Sequence, residues 1–141
     1  MDDFLKELKT ITTSNDFLSW LQILNGGTPE VGLTNEKLIN GYCEDLAVYL
    51  NNKYNVTMCM ASVNVEFLKS GHFYVLFNNK YYDGIDISGV TSPCELVWSS
   101  RIIKKAINLN LDANLAKVQI SKVSVIPVHD WYKPHLERLH S

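Results

Sequence analysis

Two short apolar runs with helical spacing open the chain. Phe4, Leu5 and Leu8 form the first, and Ser14 stands ahead of Phe17, Leu18, Leu21 and Ile23, which predicts a second helix capped by its serine. Gly26 and Gly27 end that pattern. The stretch TPEVGLTNEKLING, residues 28–41, is dense in turn formers and reads as a loop, with Thr34 placed to cap a short helical turn. From Tyr42 to about Tyr54 the segment CEDLAVYLNNKY puts Cys43, Leu46, Ala47 and Leu50 on one stripe, with Glu44, Asn51 and Asn52 elsewhere. That spacing predicts an amphipathic helix with a cysteine in its first turn.

After Asn55 the period changes from helical to alternating. VTMCMASV, HFYVLF and KYYDGIDI are rich in β-branched and aromatic residues and predict three strands, the last two joined at Asn78 and Asn79. SPCEL then offers a serine cap, a proline at the first helical position and a glutamate two residues on, announcing a helix through the Trp98 region. Ala116 to Val128 reads as one more strand, alternating Val118, Ile120, Val123, Val125 and Val128 around polar residues. The tail WYKPHLERLHS suggests a short helix after Pro134. With no repeat, low-complexity tract or linker, residues 1–141 are expected to form one α+β domain. Its expected parts are a helical 1–40, a core 41–128 bearing the candidate chemistry, and a tail 129–141.

Composition narrows the class. A chain of 141 residues with 46% hydrophobic and 20% charged positions is that of an ordinary globular protein. The net charge is −2 without a basic run, so nucleic acid is not expected as a partner. The start MDDFLKELKT lacks the basic segment and apolar stretch of a secretory signal and is expected to stay on the mature protein. No apolar run approaches the roughly 20 residues that span a bilayer, so no membrane role is expected. Cys43, Cys59 and Cys94 are odd in number and widely separated, which fits reduced cytoplasmic thiols and lacks zinc-site spacing; no metal or other cofactor is expected.

A cysteine in the first turn of a helix meets unpaired N–H groups and the positive end of the helix dipole, both of which lower a thiol pKa. Cys43 has that placement, and His72, after Gly71 at the start of the predicted HFYVLF strand, is the candidate base. The residue orienting the imidazole depends on the hairpin. If Asn78 and Asn79 alone form the turn, Phe77 pairs with Lys80, Tyr74 pairs with Asp83, and Asp83 shares a face with His72. A three-residue turn would put Asp86 opposite His72 and rotate Asp83 to the other face.

Against this stand plainer readings. Cys43 lies on the apolar stripe of its helix, as a packed core thiol would. Asp83 before Gly84 fits an ordinary turn aspartate. Cys59 reads as structural, and Cys94, also near a predicted helix start, has only His129 as a rival partner before the tail histidines His135 and His140.

GYCEDLAVYL resembles the G-x-C-x-D-x-A pattern around the nucleophile of small papain-like proteins. GHFYVLFNNKYYDGIDISG is similar to their His-strand-turn-strand-Asp segment. The order Cys, His, Asp and its short spacing look like the compact, transglutaminase-like and NlpC-like branch of the papain-like cysteine protease superfamily. The resemblance covers about residues 41–89. It implies a papain-like fold, with the Cys-bearing helix packed on an antiparallel sheet. It also implies acyl transfer on an amide or peptide bond of a protein or peptide substrate, with Cys43 as nucleophile, His72 as base and acid, and Asp83 as the orienting residue. The sequence departs from the family at the oxyanion hole: Lys37 stands at about the distance where papain has a glutamine, and Asn40, or else Asn35 or Gln22, is the replacement donor beside the Cys43 N–H. The alternative is a non-catalytic papain-fold binding protein, such as a phage-encoded inhibitor or effector of a host protein.

Overall fold

The computed structural model describes residues 3–13, 16–17 and 42–127. The elements are α1 (Asp3–Thr13), α2 (Cys43–Tyr54), β1 (Thr57–Val65), β2 (Leu68–Phe77), β3 (Lys80–Tyr82), a 3-10 turn (Pro93–Glu95), α3 (Val97–Asn108), α4 (Ala113–Ser121) and β4 (Ser124–Val125). The fold is α+β, and the four strands form an antiparallel sheet in the order β3-β2-β1-β4.

Alternation along β1 and β2 gives each sheet face its own core. Met58, Val75 and Tyr82 point to one side and pack with Phe4 and Leu8 of α1 and Leu46, Ala47 and Leu50 of α2. Cys59, Ala61, Val63 and Tyr74 point to the other and pack with Trp98, Ile102 and Ala106 of α3 and Ala116 and Ile120 of α4. A polar tie joins α1 to α2: the Tyr49 hydroxyl and the Lys53 Nζ both donate to Glu7 Oε1, at 2.7 and 3.0 Å. On the far edge of β1, the Gln119 side chain of α4 accepts from the Asn64 N–H at 2.8 Å and donates to its carbonyl at 3.2 Å, standing in for a neighbouring strand.

The β2–β3 connection is the two-residue turn. Asn78 and Asn79 have φ of 48° and 63°, the left-handed pair that a tight hairpin demands and asparagine tolerates. Phe77 pairs with Lys80 and Val75 with Tyr82. β3 then stops, and because it is so short, no strand among the described residues pairs with the outer edge of β2 from Tyr74 back toward the β1–β2 turn, at the level of His72.

Four sequence expectations need correction. Of the strand expected over 116–128, residues 116–123 are not strand. Residues Ala113–Ser121 form α4, capped where Asp112 Oδ1 accepts from the Leu115 N–H at 3.0 Å, and only Ser124–Val125 pairs, with Cys59 and Met60. Ala116 and Ile120, four apart, are wholly buried while Val118 is 53% exposed, so the apolar positions serve one helix face and tertiary burial overrides the strand preference of valine. KYYDGIDI is strand only as far as Tyr82, since the Asp83 side chain draws the following N–H groups into a turn. β2 begins at Leu68, so His72 lies inside the strand rather than at its start. SPCEL forms a 3-10 turn, with Ser92 accepting from the Cys94 N–H, and an extended Leu96 separates it from α3.

The rest of the predicted second helix, the 28–41 loop and the tail helix lie outside the described residues. No helix among the described residues is long and apolar enough to cross a membrane.

Candidate active site

The cysteine is the first residue of α2, after Tyr42, whose side chain makes no capping hydrogen bond. The N–H groups of a helix's first turn have no acceptor within the helix itself. Parity along the hairpin supplies a further donor. Phe77 and Val75 turn their backbone groups toward β3, so Phe73, two residues on, does the same, at a level β3 does not reach. The Cys43 sulfur comes near that place, where the Phe73 and Glu44 N–H groups both lower its pKa. Burial pushes the half-buried thiol up, but the His72 side chain, these two N–H groups and the positive charge of the imidazole together hold it below the ordinary thiol range.

His72 projects from the α3–α4 face of β2 and is wholly buried. Its ring stacks on Trp98, with centroids 5.1 Å apart and planes at 18°, and on Tyr74 at 6.3 Å and 21°. Nε2 lies 2.8 Å from Asp83 Oδ2. Nδ1 is buried and has no partner in conventional hydrogen-bond geometry, which makes it the nitrogen left to meet the thiol. The influence of Cys43 and His72 on each other is nonetheless mutual. Burial pulls the imidazole down, and Asp83 and Cys43 outweigh it, so its pKa is pushed up to about 8.

Asp83 follows β3 directly. Its Oδ1 accepts from the Ile85 N–H at 2.9 Å and the Asp86 N–H at 2.8 Å, leaving Oδ2 for the imidazole. Burial raises its pKa, yet His72 and these N–H groups bring it below the usual carboxylate value. An ionised carboxylate only accepts, so Nε2 carries the proton and donates it. Of the two aspartates that sequence reasoning left open, Asp83 is thus the one that holds His72. Asp86 turns away, and its Oδ2 accepts from the Val97 N–H of α3 at 3.0 Å.

The other candidates fall elsewhere. Asn40, Asn35, Gln22 and Lys37 lie outside the described residues, as do His129, His135 and His140. Cys59 is wholly buried, and burial pushes its thiol up to about 11. The Cys94 sulfur sits 3.3 Å from Ser121 Oγ and 3.6 Å from the Lys117 carbonyl. Among the described residues, no group of three His, Cys, Asp or Glu side chains is placed to hold a metal ion. Trp98, the ring covering His72, served the sequence reading only as a marker of a helix. Its contact, made between a helix and a strand distant in sequence, leaves no periodic signal.

Compared with protein-family models, curated proteins and solved structures, the chain has no significant match.

Proposed function

We propose that the chain is a thiol-dependent hydrolase or acyltransferase of papain-like architecture, acting on the amide or peptide bond of a protein or peptide substrate. One observation carries this reading: a single buried imidazole lies between the Asp83 carboxylate and a thiol whose pKa is lowered at a helix start. In the proposed reaction the Cys43 thiolate attacks the substrate carbonyl carbon, and the tetrahedral oxyanion collapses as the His72 imidazolium gives its proton to the departing amine. A thioester remains. Water or an amine then attacks it, His72 takes the attacking proton, and the Cys43 thiolate leaves as the acyl group is transferred, which restores the thiolate and imidazolium of the start. Asp83 stabilises the imidazolium and fixes the ring. The Cys43 N–H is the donor for the oxyanion that this reading names among the described residues, with Asn40 as the second candidate.

The test is alkylation of the native protein by iodoacetamide, with rates resolved by mass spectrometry for each cysteine. Cys43 should react far faster than Cys59 and Cys94, and equal rates would remove the basis of the proposal.

A second reading has its own support. The crevice lined by Cys43, Leu46, Phe73, Tyr82 and Asp83 has no room for a water molecule, and His72 has no exposed surface. A binding protein that keeps this scaffold, such as a phage-encoded inhibitor or effector, needs no open route to the sulfur. Cys43→Ala separates the two: survival of the biological effect points to binding, and its loss with partner affinity intact points to chemistry.

A further inference from the structure

We propose that Asp86 is a positioning residue of the Cys43, His72 and Asp83 group, anchoring the start of α3 so that Trp98 is held against the His72 ring; this rests on the thiol reading above. Four contacts close a circuit around the imidazole. His72 Nε2 meets Asp83 Oδ2 at 2.8 Å, and Asp83 Oδ1 accepts from the Asp86 N–H at 2.8 Å. Asp86 Oδ2 accepts from the Val97 N–H at 3.0 Å, and Trp98, the next residue, stacks back on His72 at 5.1 Å. Asp86 therefore touches both halves of what holds the ring: its backbone grips the carboxylate on the ring's edge, and its side chain grips the helix that covers the ring's face.

Leu96, the residue before α3, is extended and makes no side-chain cap, so the Asp86 carboxylate takes the place of a local one. Coming from a preceding loop instead of the helix's own flank, it couples the position of α3 to the turn at Asp83. The ionisable groups that act on Asp86 are Asp83, which raises its pKa together with burial, and His72, which lowers it along with the Val97 N–H. Without the tether, the start of α3 is held more loosely, by its apolar packing and by the Ser99 hydroxyl donating to the Pro93 carbonyl at 2.7 Å, so it shifts, the stacked Trp98 moves with it, and the imidazole loses packing on the face that Trp98 covers.

The experiment measures Cys43 alkylation by iodoacetamide from pH 5 to 9 on the full chain. Asp86→Ala should lower the neutral-pH rate about tenfold and move the midpoint of the profile to higher pH, and Asp86→Asn, which keeps an acceptor for the Val97 N–H, should restore most of the rate. Val97→Pro breaks the same contact from the other side. Proline suits a first helical position, and extended Leu96 accommodates it, so this variant tests the tether even if Asp86→Ala fails to fold. It should reproduce the shift, with no additive effect in the double variant. A folded Asp86→Ala or Val97→Pro protein whose profile stays within twofold of the parent overturns the inference and leaves Asp86 a simple helix cap. Parent Cys43 labelling no faster than Cys59 or Cys94 instead removes the thiol reading.

Discussion

His72 Nε2 lies 2.8 Å from Asp83 Oδ2, and the two side chains are 0% and 2% exposed. A charged pair shut off from water to this degree depends on each partner for its ionisation, which makes removal of one far more costly than loss of a surface ion pair. Asp83→Ala should destabilise the protein by about 3 kcal/mol near pH 6, measured by urea unfolding. The pH window follows from the two shifts, which report one shared interaction. The imidazole rises from 6.5 to about 8 on folding, so its contribution is full below 6.5 and fades as pH climbs through 8. The Asp83 carboxyl falls from 3.8, so its contribution is full above that value and is lost as acid titrates the folded carboxylate. The gap between parent and variant should therefore be widest between about pH 4 and 6.5 and narrow on both sides; a gap independent of pH would contradict the pairing.

Thiol reactivity should follow environment. Cys59 is held near 11 by burial while Cys43 is lowered by His72 and two backbone N–H groups. Each unit of separation is tenfold in thiolate fraction. Replacing His72 by Gln should slow alkylation of Cys43 by about tenfold or more at pH 7 and leave Cys94 unchanged. An equal rate before and after the change would mean that the imidazole does not act on the sulfur.

Trp98 is 5% exposed and covers the His72 ring. Trp98→Ala should cost about 3 to 5 kcal/mol through the cavity it leaves, whereas Trp98→Phe, which retains a stacked ring, should cost less. The same pair of variants read by histidine NMR should move the His72 titration more in the alanine protein, since opening that face admits water to the imidazole.

Gly89 is set by two constraints at once. Its φ is +81°, and a Cβ there would come within 2.8 Å of the Tyr82 ring, which packs beneath it in the core against Phe4. Gly89→Ala should lower stability by about 1 to 3 kcal/mol, seen as a reduced unfolding midpoint, because backbone strain and the clash add. Tyr82→Leu in the same background should recover part of the clash, while the strain remains.

By contrast the Glu7 and Lys53 pair, 3.0 Å apart with side chains 25% and 40% exposed, sits in water. Lys53→Ala should shift stability by no more than about 1 kcal/mol despite the short distance, and less at high salt.

Local chemistry was legible from residues alone wherever its cause was local. The helix at Cys43 follows from an apolar stripe with a three- and four-residue period, and the tight turn from two asparagines that accept positive φ. That turn in turn decides that Asp83 and not Asp86 shares a face with His72. The same reasoning misread 116–128, because valine and isoleucine at mixed spacing suit a strand or a helix until something packs on them. Ala116 and Ile120 are buried against β1 and α3, and that contact chose the helix.

Only tertiary structure decided how the sulfur meets the ring. α2 lies on one face of the sheet and His72 on the other, and they come together at Phe73, where β3 has ended and no other described strand pairs with the edge of β2. It likewise decided that Trp98 covers the imidazole and that Asp86 caps α3. Sequence carries information about neighbours along the chain through steric and periodic rules. Where an edge is left open, and what fills it, depends on elements far apart in sequence and is settled by packing.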